Sequence, residues 1–288
     1  MDSFLLQLIR IIPYWLAGIV LGAVLKTFQR NNIDRILIKV FNWKSRLLLI
    51  ATSSILGAVS PITLFGVIPI LYALDVESNP TIEPAIVAFI TSSILVSPNI
   101  FIFTISLGLN VALIRLASAI LAGVIMGLVV DVITDKKTSF IKLNVRDEIE
   151  QKRNSEPSKM KQLLANFYGA FRKTGINLLI GIVISYAMYQ FIPQSLWDFT
   201  FQNNNIAVPI SAVLSTFLYQ CGGGSIPILQ GLMREGLSIG AATTFMLVGP
   251  LTKITNLAAL KSIMSIKGIL IYCGILVLYM LSIGWLLG

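Results

Sequence analysis

Long apolar runs with almost no charge in them dominate this chain, and no other feature restricts its folding more. The stretch Phe4–Leu25 holds a single charge, Arg10, and is about long enough to cross a bilayer. Backbone polar groups inside a bilayer must be satisfied within the protein, so such runs fold as helices. Composition agrees: 56% of the 288 residues are hydrophobic and 12% charged, far from the balance of a soluble domain. The sequence predicts an all-α integral membrane protein with about eight or more membrane segments. Phe4–Leu25 lacks a basic leader and a small-residue cleavage motif, so it reads as a retained helix. Within it Arg10 snorkels and Pro13 is a tolerated kink.

Charge sets the expected topology. Of 22 Lys and Arg, six fall in Lys26–Arg46 and ten in Asp135–Lys173, so these connections are expected on the cytoplasmic side. The connection Asp75–Glu83 carries three acids and no base, and Pro193–Asn205 carries only Asp198; both are expected to face outward, with the two termini. Arg234 is expected inside. The net charge of +9 comes from residues flanking the spans, not from a basic face, which argues against nucleic acid as a partner. The bilayer and a small solute are the expected partners.

The same connection divides the chain into a first membrane unit (1–134), a linker (135–173) and a second membrane unit (174–288). In the linker Met160, Leu163, Leu164, Phe167 and Phe171 recur at helical spacing beside Lys159, Lys161, Arg172 and Lys173. That pattern predicts a helix lying on the membrane surface.

The two units repeat a motif. SPITLFGVIPILYAL (Ser60–Leu74) and CGGGSIPILQGL (Cys221–Leu232) share a G-x-I-P-I-L core, pairing Thr63 with Cys221, Gly66 with Gly224 and Pro69 with Pro227. Downstream, TSSILVSPNI (Thr91–Ile100) matches TTFMLVGPLT (Thr243–Thr252), with Ser97 opposite Gly249, Pro98 opposite Pro250 and Phe101 opposite Lys253. Loop charges give the repeats opposite orientation, and Pro84–Leu107 and Ser238–Ile263, broken at Ser97-Pro98-Asn99 and Gly249-Pro250, read as re-entrant hairpins, with full spans in a conventional bundle as the alternative. Helices that unwind at membrane depth are tolerated where they line a cavity, and paired breaks in inverted repeats are how secondary transporters build a central site.

Candidate binding residues therefore cluster at the breaks: Thr63, Gly66 and Pro69; Ser97 and Asn99; Cys221, Gly222, Gly223, Gly224, Ser225 and Pro227; Pro250, Thr252, Lys253 and Asn256. Exposed N–H groups there can hold an anionic group and freed carbonyls a cation. Lys253 carries a charge that costs about 3 kcal/mol at the centre of an apolar segment. It is expected to share a helix face with Asn256 and to act as a counter-charge to solute or as a proton carrier. Gly18/Gly22 and Gly123/Gly127 have GxxxG spacing, which lets helices approach closely within a protomer or in a homo-oligomer.

There is no histidine, and the two cysteines, Cys221 and Cys273, lie in apolar segments. No metal site, disulfide framework, ATP-binding P-loop or cofactor is expected. Cys273 reads as a small buried hydrophobe. No acid–base partner accompanies Cys221, so an enzyme is disfavoured; a channel, or a membrane-embedded thiol-dependent assembly factor, are the alternatives to a permease.

The elements YQCGGGSIPIL and GAATTFMLVGPLTKITNLAALKS, with the first-half SP-x-x-x-x-GVIP element, resemble the predicted permease family that includes the ArsP-type organoarsenical efflux permeases. The resemblance covers nearly the whole chain. It implies an integral permease of the prokaryotic plasma membrane, with members exporting trivalent methylated or aromatic arsenicals through cysteine ligands. Cys221 matches the second-half cysteine. Thr63 and Phe65 stand where such members carry a C-x-C pair, and one thiolate does not bind As(III) as two or three do.

Overall fold

The computed structural model describes residues 2–28, 45–60, 82–133, 141, 159–191, 200–201, 203–219 and 223–288. Eleven helices account for nearly all of them: α1 Asp2–Phe28, α2 Arg46–Val59, α3 Glu83–Leu95, α4 Pro98–Ile105, α5 Leu109–Ile133, α6 Lys159–Phe191, α7 Asn204–Leu218, α8 Ser225–Arg234, α9 Ile239–Thr252, α10 Ile254–Lys261 and α11 Ile266–Leu286. By length and composition, Glu83–Ile105, Leu109–Ile133, Lys159–Ala187 and Ile266–Leu286 can each cross a membrane.

Two helices lack a polar face, and that decides what sits in the middle. Every residue of α3 is buried, as is every residue of α9 from Gly240 to Leu251. Their hydroxyls are made compatible with that position by bonding back to the helix, Thr91 to the Val87 carbonyl at 2.7 Å and Thr244 to the Gly240 carbonyl at 3.0 Å. With α5 and α11 they enclose the main core of Phe89, Leu95, Met126, Leu247 and Leu276. Tyr272 of α11 donates to Thr91 at 3.0 Å, and Tyr279 donates to the Ser118 carbonyl of α5 at 2.9 Å.

Small residues set the helix spacing. A Cβ on Gly123 or Gly127 of α5 would meet α2 and the Ala88 and Pro84 carbonyls of α3. One on Gly18 or Gly22 of α1 would meet Phe103 and Asn99 of α4. Both GxxxG pairs serve contacts within the protomer.

These contacts also fix helix directions. Gly127 lies by Pro84 and Gly123 by Ala88, so α3 and α5 are antiparallel. Ser54 donates to the Ile120 carbonyl and Gly57 meets Phe89 and Ser92, so α2 runs parallel to α3. Arg46 pairs with Asp131 at 3.2 Å, and the Ile141 N–H donates to Glu83 at 2.8 Å. Arg46, Glu83 and Asp131 therefore share one end of the bundle, the end that adjoins the two basic connections. This corrects the outward expectation for Glu83; α2 ends at mid-depth beside Phe89 and Ser92, and residues 61–81 of the connection lie outside the described residues.

The interrupted segments pass through instead of turning back. Leu109 begins α5 six residues before Arg115, which reaches the end of α3, so α4 must advance to the far end over about 9 Å. Likewise Gly240 lies by Gly284 at the far end, while Met264, after α10, bridges Ile141 at the basic end. The turning segment is α7–α8. Asn204 meets Gly288 at the far end, Tyr219 meets Gly249 at mid-depth, and Gln230 donates to the Ser106 carbonyl in the α4–α5 turn, again at the far end. Arg234 thus lies at the far end, opposite to expectation.

The linker helix also differs. Lys159–Phe191 is one helix of 33 residues, about 50 Å, longer than the apolar core of a bilayer. Its basic first turns extend the span; they do not form a separate surface helix. It packs antiparallel to α1, with the Trp15 indole donating to Thr174 at 3.1 Å and Asn166 donating to Thr27 at 3.1 Å.

Candidate functional site

The α3–α4 break is built by proline. Pro98 takes the first position of α4, where its fixed φ suits a helix start and its missing N–H is no loss. Val96 (φ −143°, ψ 147°) and Ser97 (φ −143°, ψ 160°) are extended, so the chain moves on along the same axis. In the second unit the helix does not stop at Gly249-Pro250. It continues to Thr252 and breaks at Lys253 (φ −61°, ψ 127°). Aligned by their ends, Glu83–Leu95 with Pro98–Ile105 and Ile239–Thr252 with Ile254–Lys261, the helix pairs place Lys253 opposite Ser97. The expected pairing of Lys253 with Phe101 is therefore displaced by one helical turn.

A residue that the sequence reading passed over explains why α9 survives its proline. Pro250 has no N–H to give the Met246 carbonyl four residues earlier. Arg115 of α5, 2% exposed, supplies one: Nη2 donates to the Met246 carbonyl at 3.3 Å and to the Leu95 carbonyl at 3.1 Å. Nη1 donates to Thr104 at 2.9 Å, and Nε has no hydrogen-bond partner. Arg115 is one of six basic residues outside the two basic connections, and the cost argument applied to Lys253 would have found it. Removing the guanidinium would leave buried carbonyls unpaired, at about 1–3 kcal/mol each.

The other expected residues divide into groups. Asn256 donates to the Pro250 carbonyl at 2.8 Å, closing the α9–α10 break from the third position of α10. Lys253 is thus a cap residue beside that bridge, half-buried, and does not share a helix face with Asn256. Thr252 spends its hydroxyl on the Val248 carbonyl at 3.0 Å. Ser97 is buried; Asn99 turns to Gly22 of α1. At the α7–α8 turn Gly223 has φ +93°, open to glycine, with Phe103 of α4 within 3.0 Å of where a Cβ would lie. The Gly224 carbonyl lies against Gly181 of α6, where any side chain would collide. Ser225 and Pro227 are buried in the first turn of α8. Thr63, Phe65, Gly66, Pro69, Cys221 and Gly222 lie outside the described residues. Cys273 is free and packs, half-buried, against the main core.

The structure therefore joins the α3–α4 break to the middle of α9 through Arg115, and the end of α7 to Gly249 through Tyr219; the α9–α10 break at Lys253 lies two helical turns beyond Met246. The group buried at the first junction is a cation. Among the residues whose side chains are described the carboxylates are Glu83, Asp131 and Glu235, all at helix ends. No group of three metal-binding side chains occurs among the described residues.

A buried cation bracing an interrupted helix inside an apolar bundle does not by itself name a function; the family comparison does. The family model described as predicted permease, ArsP_1, matches residues 1–288. The chain belongs to this permease family. A Streptococcus mutans protein described as a subunit of a two-component membrane permease complex is 23% identical over 98% of this chain and 93% of its own length. A UPF0718 protein of Methanocaldococcus jannaschii is 26% identical over 38% of this chain and 31% of its own. No solved structure matches the chain.

Proposed function

We propose that this permease is a secondary transporter of the prokaryotic plasma membrane. Two units of opposite orientation would carry a small anionic or electron-rich solute through the crossing of their broken helices. The observation that carries the reading is the equivalence of Ser97 and Lys253: each interrupts a helix pair at the same place, and the two pairs run in opposite directions across the bundle. In this reading α2 and the turn α7–α8 are half-length elements that reach the crossing from opposite sides. Lys253 and Arg115 bias it toward negative charge, while the backbone groups freed at the breaks orient the solute.

An efflux role for organic arsenicals rests on the family resemblance alone, with Cys221 as the one soft ligand; Thr63 and Phe65 in place of a C-x-C pair weaken it. The relative named as a subunit of a two-component complex supports a partner subunit for this chain as well.

Reconstitution tests the reading. The purified chain in proteoliposomes without ATP should show saturable counterflow of trivalent methylarsenite or of a small organic anion. Flux that rises linearly without saturation would make the crossing a channel.

A further inference from the structure

We propose that Arg115 is a cross-brace between the two units, a positioning residue matched to the α3–α4 break and to the proline inside α9, and not to a carboxylate. The argument starts from missing donors. In α9 the fourth residue after Met246 is Pro250, so the Met246 carbonyl has no N–H in its own helix. In α3 the helix ends at Leu95 and the extended pair Val96 and Ser97 follows, so the Leu95 carbonyl also loses its helical partner. These are the carbonyls Arg115 takes, 3.1 Å to Leu95 and 3.3 Å to Met246, with one guanidinium nitrogen shared between them. The two acceptors are 151 residues apart in sequence and belong to different units. Thr104, at 2.9 Å, ties the same guanidinium to α4 on the far side of the first break.

A lysine cannot replace this geometry. Its single nitrogen lacks the planar fork that addresses Thr104 with one nitrogen and two carbonyls with the other. Nor does the contact look like a general ion pair, since Arg115 has no carboxylate partner among the described residues. Electrostatics agree with the placement. The carbonyl end of α3 is the negative end of its dipole, and a cation there is favoured. The brace lets α3 end, and α9 carry Pro250, inside the bundle without an orphaned carbonyl, and it makes the position of the α3–α4 break depend on α9 of the second unit.

The matched pair predicts an asymmetric rescue. Replacing Pro250 by Ala returns an N–H to the Met246 carbonyl and makes the brace dispensable on that side alone. Nothing in that substitution helps Leu95. Hydrogen–deuterium exchange of the full chain in lipid nanodiscs reads both helices separately. In Arg115→Lys, amides of 86–95 and of 240–249 should both exchange faster, by about tenfold or more for a lost charged hydrogen bond. In Arg115→Lys/Pro250→Ala the 240–249 amides should regain parental protection while 86–95 stays fast. Arg115→Met should repeat the pattern more strongly if it folds; the Lys variant carries the test if it does not. Faster exchange confined to α5, parental exchange in both helices, or equal recovery of both helices in the double variant would overturn the brace.

Discussion

The Ile141 N–H donates to the Glu83 carboxylate at 2.8 Å, so the start of α3 and a residue of the basic linker lie at the same end of the bundle. That contact orients the first unit. Glu83 sits at the N-terminus of α3, where a carboxylate is favoured by the helix dipole, and it is wholly buried. Glu83→Gln should keep the fold but loosen the linker, seen as faster proteolysis within 142–158 than in the parent. Unchanged proteolysis would mean that the contact does not tether the linker.

Close approach at glycine makes a second prediction. Gly181 of α6 faces the Gly224 carbonyl with no room for a methyl, whereas nothing lies within 4 Å of a Cβ at Gly274 of α11. Gly181→Ala should lower thermal stability in detergent by about 1–3 kcal/mol, the usual cost of overpacking. Gly274→Ala should be neutral or slightly stabilising through helix propensity. Equal effects of the two would show that α8 does not pack on α6 as described.

Lys253 tests the solute's charge. Lys253→Met keeps length and apolar packing and should reduce flux of an anionic solute about tenfold or more, the loss of one charged contact. Lys253→Arg should keep partial binding with slowed turnover, because charge is retained and donor geometry changes. Parental flux in Lys253→Met would remove Lys253 from the site and leave the breaks alone.

Cys221 tests the arsenical reading. Cys221→Ser should abolish flux of trivalent methylarsenite while expression is kept, and solute should protect the parent thiol from alkylation. Full flux in the Ser variant would leave Cys221 as a packing residue, with a hydroxyl sufficient there and at Thr63.

Much of the fold is legible in the sequence because burial writes itself into composition. The helices without a polar face, α3 and α9, are the ones that the bundle encloses, and Pro98 marks the first break to within a residue. The second break is misread because a proline removes one donor without forcing the chain to leave the helix. Arg115 supplies that donor from another helix, and periodicity along α9 holds no trace of it. Topology is misread at Glu83 for a different reason. Lys and Arg govern orientation and acids contribute little, so three acids say nothing about the outer face. Lys253 announces itself by charge; the bridge from Asn256 to Pro250 needs coordinates.

The path of α7 through α11 is the central claim, and thiol labelling tests it most directly. In a Cys221→Ser/Cys273→Ser background, Arg234→Cys precedes α9 at the far end of the bundle and Lys267→Cys follows α10 at the basic end. A membrane-impermeant maleimide should reach Lys267→Cys from the same side as Ser155→Cys in the basic linker, and Arg234→Cys only from the opposite side. Labelling of Arg234→Cys and Lys267→Cys from one side would mean that Ser238–Ile263 turns back within the membrane, and would contradict the account.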